Sequence, residues 1–154
     1  MESGSAKEKA LRILGSRNLS AGEVEKRLIS RGESPESAKE TVEWLESFGA
    51  VNDPEYASMI VRHYSVKGYG LARIKEELYR RGIKREMWDD ALSGIDGMED
   101  AALTFLEKKL RGSSDKDEMR RAAGALCRRG FSYAEANEAM GRYLKNLDEQ
   151  GPTV

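Results

Sequence analysis

The chain has 154 residues, of which 39% are apolar and 34% charged, with a formal net charge of −1. That length suits one ordinary domain or several small modules sharing surfaces, and so polar a balance favours an elongated body over a single compact globule. A near-neutral total gives no bulk-charge argument for a nucleic-acid partner. The lone cysteine, Cys127, rules out an intrachain disulfide and a cysteine-based metal cluster.

Strong helix formers dominate and only three prolines occur, which points to an all-α fold. A first module is expected over residues 6–51. Ala10, Leu11, Ile13 and Leu14 give the buried stripe of its first helix. Ser20 with Glu23 reads as a capping box opening the second helix, and Ser34 as an N-cap with Pro35 at the first helical position of the third. A second module spans 52–95. Asp53-Pro54, read as N-cap and first-turn proline, opens a helix carrying Tyr56, Met59, Ile60 and Tyr64. Its second helix begins near Gly70, and its third carries Ala91 and Leu92. A third module spans 96–147, with Ala102, Leu103, Phe105, Leu106 and Leu110 on its first helix. Its second helix starts near Asp115, and Ser132 with Glu135 makes the capping box of the last. Residues 1–5 and 148–154 are expected to be loose.

One pattern ties the modules together. Leu28-Ile29-Ser30-Arg31-Gly32, Leu78-Tyr79-Arg80-Arg81-Gly82 and Leu126-Cys127-Arg128-Arg129-Gly130 all read L-x-x-R-G, with glycines 50 and 48 residues apart. A fixed period of this size marks a repeat architecture. Eleven, eight and four residues before the glycines lie Ala21, Val24, Leu28; Leu71, Ile74, Leu78; and Met119, Ala122, Leu126. The i, i+3, i+7 spacing puts each trio on one helix face. Leu28, Leu78 and Leu126 are thus structural. So are Arg31, a cation in the last turn, and Gly32, Gly82 and Gly130, which end the helix in the left-handed conformation. Nine helices in three trihelical modules follow.

No catalytic constellation emerges, so the chain is read as non-enzymatic and without a cofactor or metal. His63 is expected at the surface, Cys127 as a small packing residue, and the acidic pairs Glu76-Glu77 and Asp89-Asp90 as solvated helix surface. The charge distribution says more. Residues 54–95 carry eight basic and six acidic side chains. Arg62, Lys67, Arg73, Lys75, Arg80, Arg81, Lys84 and Arg85 are interleaved with Tyr64, Tyr69 and Tyr79. Such a set suits phosphates or an acidic protein surface. A second cluster holds Lys108, Lys109, Arg111, Arg120, Arg121, Arg128 and Arg129, with Asp115, Asp117 and Glu118 among them. Arg128 and Arg129 join the candidate contacts.

The run Asn52-Asp53-Pro54-Glu55-Tyr56-Ala57, then Gly70-Leu71-Ala72-Arg73-Ile74-Lys75-Glu76-Glu77-Leu78, then Arg81-Gly82-Ile83, resembles the central module of the RecX family. Arg129-Gly130-Phe131-Ser132 is similar to its third module. The resemblance covers about Ala10 to Leu147 and implies three tandem three-helix modules in an elongated, curved molecule. It implies a regulator of the RecA recombinase in DNA repair, recombination and the SOS response. Such a protein lodges in the groove of the RecA–DNA filament, inhibits strand exchange and ATP hydrolysis, and binds DNA weakly. The family has no short signature that transfers contacts residue by residue, so the contact set above rests on charge. A cytoplasmic monomer without a membrane partner is expected, since no apolar run nears the ~20 residues that span a bilayer. A helix-turn-helix DNA-binding regulator is the competing expectation, and a plain α-solenoid scaffold a third.

Overall fold

The computed structural model describes residues 5–95 and 97–150. Among them are nine α-helices and no strand. The first module holds α1 (Ala6–Leu14), α2 (Ala21–Ser30) and α3 (Pro35–Ser47). The second holds α4 (Asp53–Val66), α5 (Leu71–Arg80) and α6 (Trp88–Leu92), the last entered through a 3₁₀ turn, Arg85–Met87. The third holds α7 (Met98–Leu110), α8 (Lys116–Arg128) and α9 (Tyr133–Glu149). These helices group into two compact units. One comprises the residues up to Ile60 together with Glu77–Leu92, and the other Val61–Glu76 together with the residues from Ser93 onward.

Periodicity dictates the cores. Val24, Ile74 and Ala122, and likewise Leu28, Leu78 and Leu126, are fully buried in their respective helices. In the first unit Ala10, Ile13, Leu14, Val24, Leu28, Ala38, Val42 and Leu45 form one cluster. In the second, Ala102, Leu103, Leu106, Leu110, Ala122, Leu126, Phe131 and Tyr143 form another. Each fully buried leucine contributes about 1.5–3 kcal/mol of transfer free energy.

The expected helix starts mostly hold. Ser20–Glu23 and Ser132–Glu135 are reciprocal capping boxes, and Ser34 caps α3 with Pro35 just inside. Asp115 accepts from Glu118 N–H at the start of α8. Asp53 departs from expectation. The cap of α4 is Asn52, whose Oδ1 accepts from Glu55 N–H at 3.2 Å. Asp53 is buried and instead accepts from Ala21 N–H at 2.8 Å, at the start of α2. Burial raises its pKa, against the pull of that hydrogen bond.

Two stripe residues also differ. Leu11 is 49% and Met59 39% exposed. Leu11 lies one residue past Ala10 and two before Ile13, about 100° off the buried arc of α1. Lys9 is buried there instead, and its Nζ donates to Glu33 Oε2 at 2.7 Å and to the Arg31 carbonyl at 3.4 Å. At the far end, α9 continues through Glu149, past the expected start of the loose tail. Residues 1–4 and 151–154 of the expected termini, and Asp96 of the 93–97 connection, lie outside the described residues.

The L-x-x-R-G motif does more than stop a helix. At all three copies the residue after glycine donates its N–H to the motif leucine carbonyl: Glu33 to Leu28 at 3.0 Å, Ile83 to Leu78 at 3.0 Å, Phe131 to Leu126 at 3.1 Å. This is the Schellman closure that a left-handed glycine permits, with φ of +97°, +74° and +101°. The carbonyls left over then receive another helix. In the first unit, Ser20 at the head of α2 donates its hydroxyl to the Arg81 carbonyl, and Gly22 lies against Gly82. In the second, Gly70 N–H donates to the Arg129 carbonyl at 2.8 Å and Ala72 N–H to the Gly130 carbonyl at 3.1 Å. A helix start, short of acceptors, thus meets a helix end, short of donors. Gly32 has no such neighbour within 4 Å. At this copy Lys9 reaches the arginine carbonyl.

Core position and local charge give two checks. Leu126→Ala costs about 2–5 kcal/mol, whereas Leu11→Ala stays within about 0.5 kcal/mol, both read from urea unfolding. The hydrogen bond from Lys9, and then that from Ser37, hold Glu33 below its ordinary pKa of 4.5. Its stabilising contribution is therefore complete above that value and disappears as pH falls through the depressed folded-state pKa. Lys9→Met flattens the acid limb of the pH–stability profile in that window; an unchanged limb contradicts the pairing.

Candidate functional site

The ten candidate cations divide between the compact units. Arg80, Arg81, Lys84 and Arg85 belong to the first; Arg62, Lys67, Arg73, Lys75, Arg128 and Arg129 belong to the second.

In the first set, the end of α5 draws one cation inward. Arg81 Nε–H donates to Glu77 Oε1 at 2.7 Å, and its Nη1–H donates to Tyr56 Oη at 3.0 Å. Burial works to lower the Arg81 pKa, but these two hydrogen bonds outweigh it and raise the pKa above the ordinary value. Glu77 is 5% exposed, not the solvated residue its acidic neighbour suggests. It faces α5's following turn, where Arg80 Nη1 also lies 3.6 Å from its Oε2. Charge compensation at i+3 and i+4 explains how a carboxylate tolerates this position. What remains on the outer surface is Tyr79, 72% exposed, with Arg80, Lys84 and Arg85. The Arg85 guanidinium sits 5.2 Å from the Trp88 ring, which is held by its own Nε1–H bond to the Ile83 carbonyl at 3.0 Å.

In the second set, aromatic rings hold cations. The Arg129 guanidinium lies 4.8 Å from the Tyr69 centroid and 5.2 Å from that of Phe105, and its Nη2 donates to the Lys67 carbonyl at 2.8 Å. The Arg73 guanidinium lies 5.8 Å from both Tyr64 and Tyr69, whose rings meet edge to face. These tyrosines pack cations of their own chain. Arg62, Lys67, Lys75 and Arg128 are exposed. His63 is exposed as expected, edge-on to Tyr64. Cys127 is exposed, which corrects its reading as a packing residue. It lies one residue past buried Leu126, off the apolar arc.

The second basic cluster also splits. Lys108 and Arg129 border a cavity of about 260 Å³ with Lys67 and Phe105. Lys109, Arg111, Arg120, Arg121 and Arg128 border a different one of about 660 Å³. Consecutive positions on α7 point about 100° apart, so Lys108 and Lys109 serve different faces. Among the described residues, no group of three or more His, Cys, Asp and Glu is placed to hold a metal ion. None of the described helices is long and apolar enough to cross a membrane.

Sequence reasoning missed Lys9, Asn52, Asp53 and Glu77 as buried or capping partners. Glu33 was the available cue for Lys9, since it stands where the other copies place Ile83 and Phe131.

Comparisons with known proteins agree along the chain. Family models for the first, second and third three-helix domains of RecX match residues 6–45, 52–92 and 98–140. The chain is 32% identical over 127 residues to "Regulatory protein RecX" of Xanthomonas axonopodis pv. citri (strain 306), covering 80% of this chain and 78% of that protein. It is 29% identical over 143 residues to the protein of the same name from Chromohalobacter salexigens, covering 91% and 93%. The crystal structure of RecX from Lactobacillus salivarius superposes with a TM-score of 0.78 at 24% identity, over 90% of this chain and 94% of that one. That likeness speaks for the fold, and the three matched domains with the sequence relatives speak for descent. The chain belongs to the RecX family.

Proposed function

We propose that this protein regulates a RecA-type recombinase by binding its filament on DNA, slowing strand exchange and the coupled ATP hydrolysis. The observation that carries the reading is the match of all three RecX domains in order along one chain. It acts by binding, in the cytoplasm, as a monomer. Physically, several modest contacts offered by separate modules add through their linkage, so no single one needs to be strong.

The outer face of the first unit's cationic set supplies part of the attraction: Arg80, Lys84 and Arg85, flanked by exposed Tyr79. Arg62, Lys67, Lys75 and Arg128 supply more from the second. Arg73, Arg81 and Arg129 sit among rings, Glu77 and backbone carbonyls, and they contribute by holding those surfaces in place. Charged contacts of this kind govern encounter and salt dependence more than residence time.

The double substitution Lys84→Glu and Arg85→Glu leaves the Glu77 pairings with Arg80 and Arg81 intact. It raises the concentration needed to inhibit filament ATPase on single-stranded DNA at least tenfold, with the helical circular dichroism signal unchanged. Inhibition at the wild-type concentration removes these residues from the interface. Absence of any effect of the wild-type protein on recombinase ATPase and strand exchange overturns the function itself.

A further inference from the structure

The first compact unit carries a cavity of opposite character to the cationic sets. Asn52, Glu55 and Met59 follow one another at i, i+3 and i+7, so α4 and its cap turn all three to one side. With Asn18, in the turn before α2, they border a cavity of about 190 Å³ that has Tyr56 on its wall. Among the described residues, no lysine or arginine lines it. Arg17 precedes Asn18 in sequence but is not one of the lining residues.

The hydrogen bonds already made decide what the cavity offers. Asn18 Nδ2 donates to the Met59 sulfur at 3.5 Å, and its carboxamide oxygen accepts from no described residue. Asn52 Oδ1 is engaged in capping α4, through the Glu55 amide at 3.2 Å. The Tyr56 hydroxyl already accepts from Arg81, so the ring is what Tyr56 adds. The Glu55 carboxylate is exposed, and among the described residues no ion pair holds it. A full negative charge and an amide oxygen thus stand beside a polarisable sulfur and an aromatic wall.

We infer that this cavity takes an arginine side chain from a protein partner. The carboxylate repels phosphate and calls for a cation. One carboxylate and one amide oxygen are too few for a metal ion, which takes about four or more ligands. The volume is below the ~300–1,000 Å³ of sites for drug-sized molecules, so it admits a single side chain. A guanidinium fits better than an ammonium. It is flat and weakly hydrated, it lies against rings, and its fork matches a carboxylate. The rim points to a protein source. Met59 is 39% exposed at its edge. Phe48, beside the lining residue Gly49, is 55% exposed and held edge-on to Trp44 at 4.9 Å. Arginine among apolar and aromatic neighbours is the usual composition of a protein interface. None of the ten candidate cations borders this cavity, and a ligand here meets the chain without recombinase or DNA.

NMR titration of the full chain with a capped leucine–arginine–phenylalanine peptide tests the site. The side-chain amide signals of Asn18 and Asn52 move saturably. Citrulline, neutral and similar in size, weakens the peptide at least tenfold in place of arginine. Glu55→Gln weakens the arginine peptide at least tenfold and leaves the citrulline peptide unchanged. Asn52→Asp, which still caps α4, tightens the arginine peptide at least threefold. Circular dichroism of both variants matches the parent. Equal affinity of Glu55→Gln and the parent for the arginine peptide overturns the cavity as a cation site. A lysine peptide that binds as tightly as the arginine peptide overturns the choice of guanidinium. Agmatine, a guanidinium without a peptide, binds at least tenfold more weakly; equal affinity means the apolar rim contributes nothing and overturns the protein partner.

Discussion

A helix that stops inside a protein must find donors for its last carbonyls, and one that starts must find acceptors for its first amides. Here each need answers the other. The arginine carbonyl of the L-x-x-R-G motif takes the head of the preceding module's second helix: the Ser20 hydroxyl at Arg81, the Gly70 amide at Arg129. An unmatched buried polar group costs about 1–3 kcal/mol, so each meeting is strongly preferred over the same surfaces left apart. Opposed helix dipoles add in the same direction. The glycine is needed twice, to turn the chain through left-handed φ and to let the incoming helix approach. The first module's copy is met differently. There Lys9 reaches the arginine carbonyl, and Glu33 replaces the apolar residue that follows glycine in the other copies.

The same motif sorts the cations by role. Arginines next to the glycines lie where modules join, so Arg81 and Arg129 spend their guanidinium groups on Glu77 and Tyr56, and on Tyr69, Phe105 and a backbone carbonyl. Their neighbours one residue earlier, Arg80 and Arg128, turn to solvent. A two-arginine motif thus offers one side chain to the fold and one to the surface. The pattern locates surface charge at a fixed place in each of the last two modules and leaves the first module, with Ser30-Arg31 there, without it.

Much of the fold was legible because its signals are local. Capping boxes at Ser20 and Ser132, the Pro35 start and the glycine stops depend on residues within four positions of one another. Apolar spacing placed Val24, Leu28, Ile74, Leu78, Ala122 and Leu126 correctly, since helical period alone selects that face. The failures share a cause. Asn52 and Asp53 are adjacent and both able to cap, and only the approach of Ala21, 32 residues away, decides between them. Lys9 was not singled out because its partners, an arginine carbonyl 22 residues on and the Glu33 carboxylate, are invisible in a local window; Glu77 read as solvated surface because its cations three and four positions on are visible in sequence but its burial is not. The basic clusters were legible as composition only. Which cations share a face depends on 100° steps along α7, and that divided Lys108 from Lys109.

The most direct test is equilibrium urea unfolding of Gly70→Ala beside Gly141→Ala. Gly70 has no left-handed φ to protect, yet a methyl there would overlap the Gly130 carbonyl, whereas Gly141 opens onto free space. The account predicts that Gly70→Ala loses about 1–3 kcal/mol through overpacking and that Gly141→Ala gains about 0.4–1 kcal/mol through the unfolded state. A Gly70→Ala protein as stable as the parent would contradict the claim that helix heads seat directly on the arginine–glycine ends.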